Sequence, residues 1–302
     1  METERTKCGL ILLVLSMLLL SCSNAEKSGH NKPLVYLNHV YVCLDSTTYY
    51  SIINSEFLKD QFAYVETRTT YANNGDSWTG TYIWGENTYI EFFDIGNIEN
   101  HGWSGIGYGV ETEHGIDSLY SRFTNAGINN VAKGLRTRKV EDIEIPWFYW
   151  FGFSNEDSTA KFVLNTWLME YHHDYMKHKY PDIDPGSISI TRKLYNKMYY
   201  KEDLLLKNII EIELALAELD YNKLFEELKN YGYRMERKGE RAIAIGPDIT
   251  IILRAKFEDK SGLCRIKFSL TDKQYDPQTV QFGDKSKLIL NADKTAELYF
   301  II

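Results

Sequence analysis

The sequence predicts an α+β protein built from repeated β-α-β-β-β units, whose curved mixed sheets form cups with helices packed on their outer face. Three observations carry this prediction. One apolar strand signature occurs four times, helical periodicity follows its first three copies, and short aromatic or β-branched strands fill the intervals.

The first copy is "YLNHVYVCLD" at residues 36–45, where Val40, Val42 and Leu44 share one face and His39, Tyr41 and Cys43 the other. The other copies are "SGIGYGVE", "IIEIELALAE" and "LCRIKFSLTD". Registered by their apolar faces, they align Ile106, Tyr108 and Val110 with Ile212, Leu214 and Leu216, and with Ile266, Phe268 and Leu270. The first helix, "STTYYSIINSEFLKDQF", opens on Ser46 as a plausible cap. In the second, Ile116, Leu119, Tyr120 and Phe123 fall at helical spacing, and in the third Tyr221, Leu224, Phe225 and Leu228 form one stripe. These helices cover the apolar faces and leave the opposite faces to line something else.

Further strands are expected in "AYVETRTTY", "SWTGTYIWG", "TYIEFFD", "IPWFYWFGF", "TWLMEYHH", "RAIAIG", "ITIILRA" and "AELYFII", separated by turn signals such as "NNGD" and "IGPD". The clearest boundary is "YPDIDPGS" at 180–187. Accordingly, residues 34–179 are read as a first pair of units, 180–204 as a linker and 205–302 as a second, shorter pair.

At 302 residues, 44% hydrophobic and 25% charged, the chain can bury a sizeable core. A net charge of −8 argues against nucleic acid as a partner, and "KGLRTRK" at 133–139 reads as a solvated strand or loop. The start of the chain is a targeting segment, with charges in "METERTK" followed by the apolar run "LILLVLSMLLL". Leu19-Leu20-Ser21-Cys22 resembles the bacterial lipobox, which implies a signal peptide over 1–21, acylation of Cys22 and a membrane-anchored lipoprotein of the bacterial cell envelope. Residues 22–33 read as a flexible tether. Cys43 and Cys264 are then either paired or buried free thiols.

With "LNHVYVCLD" and "TYIEFFD" in the first unit, "SGIGYGVE" and "WLMEYHH" in the second, and "IIEIELALAE" through "LKNYGY" in the third, the chain resembles the vicinal oxygen chelate superfamily of glyoxalases and extradiol dioxygenases. The resemblance implies paired units forming a cup, with metal ligands from the first and last strands of each unit. Carried over, His39, Glu91 and Glu170 match ligand positions, and Gly105 stands where a further ligand would be. His172 either replaces that ligand or supports the others from behind. The implied cofactor is a divalent metal, Fe, Mn, Ni or Zn. The implied chemistry is lysis, isomerisation or oxygenation of a small molecule with vicinal oxygens, with Glu91 or Glu170 as base.

Tyr41, Tyr89, Phe93, Gly105 and Gly107 are the expected cavity residues. Alternating glycines in a strand mark close approach, either by a ligand or by the protein's own packing. In the second half, Glu211 and Arg265, flanked by Glu213 and Lys267, take the place of His39 as a charge network or a polar pocket. "HHDYMKH" at 172–178 is more consistent with an exposed helix or loop than with a metal motif. The competing function is a non-catalytic lipoprotein that binds a sugar or other small molecule and keeps the cup without the metal.

Overall fold

In the computed structural model, the described residues are 34–71, 77–95, 103–153, 163–255 and 262–301. Residues 1–33, read above as signal peptide and tether and including Cys22, lie outside them. Among the described residues no helix is long and apolar enough to cross a membrane.

The first unit consists of β1 (Tyr36–Leu44), α1 (Ser46–Ile53), a short π turn, β2 (Tyr64–Tyr71), β3 (Ser77–Trp84) and β4 (Tyr89–Asp94). The second has β5 (Ser104–Gly109), α2 (Gly115–Asn125), β6 (Val131–Val140), β7 (Ile143–Phe153) and β8 (Leu164–Tyr171). A connecting segment then carries α3 (His173–Lys179) and α4 (Arg192–Asn196). The third unit is β9 (Leu206–Leu216), α5 (Glu218–Tyr231), β10 (Arg234–Lys238), β11 (Arg241–Ile245) and β12 (Thr250–Ala255). The fourth is β13 (Gly262–Leu270), β14 (Gln278–Phe282), β15 (Ser286–Leu290) and β16 (Thr295–Phe300).

Each pair of units shares one eight-stranded sheet, in the orders β2-β3-β4-β1-β5-β8-β7-β6 and β10-β11-β12-β9-β13-β16-β15-β14. In the first three units the last strand runs parallel to the first, as in β1 with β4, β5 with β8 and β9 with β12. In the fourth, β16 runs antiparallel to β13. The missing helix explains the reversal: each helix uses one traverse of the unit, and without it the three following strands all run the other way.

All twelve residues of the four registered apolar faces are buried in one continuous core between the sheets. Helices α1, α2 and α5 contribute Ile52, Leu119, Phe123, Leu224 and Leu228 to that core. Contacts such as Phe92 to Phe300 and Tyr108 to Tyr231, with ring centroids 6.4 and 5.4 Å apart, join the two halves. The helices thus cover the convex faces, as the sequence predicts. The α1 cap is Asp45, which accepts from the Thr48 amide at 3.0 Å, and not Ser46. The basic stretch 133–139 is a strand, part of edge strand β6. Cys43 and Cys264 are free thiols.

The segment joining the two sheets packs on the first sheet's concave side, where Tyr175, Met176, Ile188, Ile190 and Tyr195 enter a second apolar cluster. Arg192 pins it. Its guanidinium bonds Glu111 at 2.8 Å, Asp248 at 2.5 Å and the Leu37 carbonyl, so one buried side chain ties α4 to both sheets.

Candidate functional site: an aromatic cup in the first sheet

The concave face of the first sheet encloses a cavity of about 400 Å³, whose wall includes Trp78, Trp147, Trp150 and Trp167. His39, Tyr41, Tyr89, Glu91 and Phe93 line it as the strand alternation predicts. Arg136, Phe148 and Met169 complete the wall, of which Arg136 and Met169 were not expected there.

Two rows of side chains cross the floor. In the first, Tyr89, His39, Gly107 and Trp167 are register partners on β4, β1, β5 and β8. The imidazole stacks on Tyr89 at 4.5 Å and meets Trp167 edge-on at 5.2 Å. In the second row, Glu91, Tyr41, Gly105 and Asn165 are partners, and the Asn165 amide donates to the Tyr41 hydroxyl at 2.7 Å. A β-carbon at Gly107 would lie 2.5 Å from His39 Cε1, and one at Gly105 would overlap the Tyr41 ring. The glycines therefore give their space to rings of β1. Of the two sequence readings, close packing by the protein itself is the one observed.

A bulge between Leu37 and His39 holds the histidine in place. It turns the Asn38 side chain toward Tyr171, whose hydroxyl lies 3.0 Å from the Asn38 amide nitrogen. Asn38 Oδ1 is 2.9 Å from His39 Nδ1, so Nδ1 is the donor and Nε2 keeps its lone pair. Burial, helped by Arg68, pushes the imidazole down to about 3 and keeps it neutral. Burial pushes the Glu91 carboxyl up to about 7, against the opposing pull of Arg68 and Tyr82. Burial also raises the Tyr41 hydroxyl to about 12.

The expected metal set does not assemble. Glu170 is on the convex face, where its carboxylate accepts from the His114 and Ile116 amides at 2.8 and 2.9 Å, at the start of α2. His172 lies beyond β8 and caps α3, with Nδ1 accepting from the Asp174 amide at 3.1 Å. Both readings fail for one reason: Leu168 faces the inner core, so Trp167, Met169 and Tyr171 occupy the cup side of β8. The aliphatic Leu168 was the available signal for that phase. Among the described residues no three His, Cys, Asp or Glu side chains group to hold a metal ion. His39 and Glu91 alone do not fit the usual set of about three protein ligands.

The second sheet's concave face carries an ion-pair network. Arg265 bonds Glu211 at 2.5 Å, Glu213 at 3.2 Å and Glu297 at 2.5 Å, so the residues in place of His39 neutralise one another.

Residues 37–300 match the family of unknown function DUF5829. The chain belongs to this family. No curated protein matches it. Among solved structures, a hypothetical protein from Staphylococcus aureus is 11% identical, with a TM-score of 0.51 over 82% of this chain and 96% of that one. The Mn(II)-bound glyoxalase from Novosphingobium aromaticivorans is 10% identical, with a TM-score of 0.41 over 87% of this chain and 81% of that one. The first likeness supports the fold alone, and the second carries no argument about this chain.

Proposed function

We propose that this family member binds a small organic molecule in the cup of its first sheet and does so without a metal. The observation that carries this reading is the cavity wall, where four tryptophans surround a partly buried carboxyl, Glu91. Flat indole faces stack on a sugar or an aromatic ring, and a few polar groups at fixed positions orient it. Glu91 and the lone pair on His39 Nε2 are the polar anchors.

The test is a titration of the full-length protein with neutral sugars and with flat aromatics such as catechol, followed by tryptophan fluorescence and native mass spectrometry. One class should bind at one molecule per chain, and Trp167→Leu should abolish the signal while the protein stays folded. Equal responses from wild type and Trp167→Leu to every compound would refute the reading. A stoichiometric metal lost in both His39→Ala and Glu91→Ala would restore the metal-dependent alternative.

The lipobox-like Leu19-Leu20-Ser21-Cys22 supports an envelope location for this binding. Cys22→Ala should abolish incorporation of labelled palmitate. A product that is still lipidated would place the anchor elsewhere.

A further inference from the structure

Where the connecting segment closes the cup, three basic side chains from distant parts of the chain lie against tyrosine and tryptophan rings. Arg68 on β2 lies 4.1 Å over Tyr82 and 5.6 Å over Tyr199. Lys179 at the end of α3 has its Nζ 3.8 Å over Tyr195 and 4.6 Å over Tyr199, and donates to the Tyr195 carbonyl at 2.5 Å. Arg138 on β6 lies 5.2 Å over Trp147 and donates to the Tyr175 hydroxyl at 2.9 Å. β2 and β6 are the two edges of the sheet, so curvature and the α3 crossing bring these groups together.

Compensation is incomplete. Glu66 bonds Arg68 at 3.3 Å, and Glu91 acts on the cluster only from within the cup. Arg68 Nε, Trp84 Nε1 and Trp147 Nε1 are buried donors without a hydrogen-bond partner, although Trp84 and Trp147 are only 1% and 7% exposed. Grouped cations and unpartnered donors at a partly dry site carry a cost that an anion with several acceptor oxygens removes. Burial, together with Arg68 and Arg138, pushes the Lys179 ammonium down to about 6, so near neutral pH an arriving anion would draw a proton back onto the amine. Aromatic faces ease this crowding without supplying a counter-charge.

We propose that Arg68, Arg138 and Lys179 form a binding site for an oxyanion, a phosphoryl or carboxylate group, which adjoins the cup at Trp147. The three side chains are partly buried and keep access to solvent.

The experiment is calorimetry and thermal unfolding of the full-length protein in sodium phosphate, sodium acetate and sodium chloride at matched ionic strength. Phosphate or acetate should bind and raise the melting temperature above the chloride value, and the better of the two identifies the group. Arg138→Met and Lys179→Met should each weaken that binding about tenfold or more, the size of one charge-assisted contact. In chloride Lys179→Met should melt no lower than wild type, because it removes a desolvated amine crowded by Arg68 and Arg138, whereas Arg138→Met gives up its bond to the Tyr175 hydroxyl and is read by its anion response. Acylation of Lys179 by acetic anhydride, read by mass spectrometry on wild type, gives a test that needs no variant, and the binding anion should slow it. No advantage of either oxyanion over chloride, with Lys179 left unprotected, would overturn the proposal. So would variants that are destabilised in chloride while their anion response is unchanged.

Discussion

Gly107→Ala tests whether the floor of the cup is packed by the protein or left open for a ligand. The added carbon would sit 2.5 Å from His39 Cε1 and 2.7 Å from Nδ1. Tyr89 stacks on the ring at 4.5 Å and Trp167 closes its edge at 5.2 Å, so it can yield only toward the cavity, at the expense of that stacking. Forcing extra volume into such a place costs about 1–3 kcal/mol. Displacing the ring also breaks the 2.9 Å bond to Asn38, which adds about 1 kcal/mol. The expected loss is therefore about 2–4 kcal/mol, measured by urea unfolding at neutral pH. Gly152→Ala on β7, two strands away, is the control, because its β-carbon would meet only the Thr166 carbonyl, at 3.8 Å. A Gly107→Ala protein within about 0.5 kcal/mol of wild type would refute the packing argument, being no larger than an ordinary surface substitution. Loss of ligand binding at unchanged stability would show instead that the glycine makes room for a ligand.

Three further outcomes follow from the same geometry. The folded-state Glu91 carboxyl is raised from 4.5 to about 7, so the stability it provides is complete below the lower value and is lost as pH rises through the higher one. Glu91→Gln does not titrate and should gain on wild type across that interval, and parallel thermal-melt profiles for the two proteins would contradict this. Glu170→Gln weakens the two amide bonds at the start of α2 and should cost about 1–2 kcal/mol in urea unfolding, with cup binding intact. A change in metal content at constant stability would return Glu170 to a ligand role. Arg192→Met strands Glu111 and Asp248 and should cost about 3 kcal/mol or more, with faster proteolysis between residues 173 and 204. Unchanged melting and cleavage would show that the segment is held by its apolar contacts alone.

Strands with strong patterns were legible because solvent sorts alternate side chains to opposite faces. β1, β5, β9 and β13 each bury an aliphatic row and were read in the correct phase, which also placed His39, Tyr41, Tyr89, Glu91 and Phe93 in the cup. Strand β15 was not read as an element although it buries Ser286, Leu288 and Leu290. Strands β10, β14 and most of β6 were also missed as definite elements. They are outer strands, polar and largely exposed, and hydrogen bonds to one neighbour suffice without an apolar signature. Glu170 was misplaced because positional matching to a family pattern overrode the local evidence of Leu168.

The sequence by itself determined the repeat, the convex helices and the aromatic, acidic character of one concave face, since all three depend on short-range periodicity. Only the tertiary structure decided that rings of β1 fill the space above the β5 glycines, that Glu170 serves a helix instead of the cup, and that Arg68, Arg138 and Lys179 share one aromatic cluster. Those outcomes depend on register across four strands and on the curvature that brings the two sheet edges toward one helix. The placing of residues 68, 138 and 179 on one set of aromatic rings leaves no local pattern in the chain, because closure of the sheet creates it.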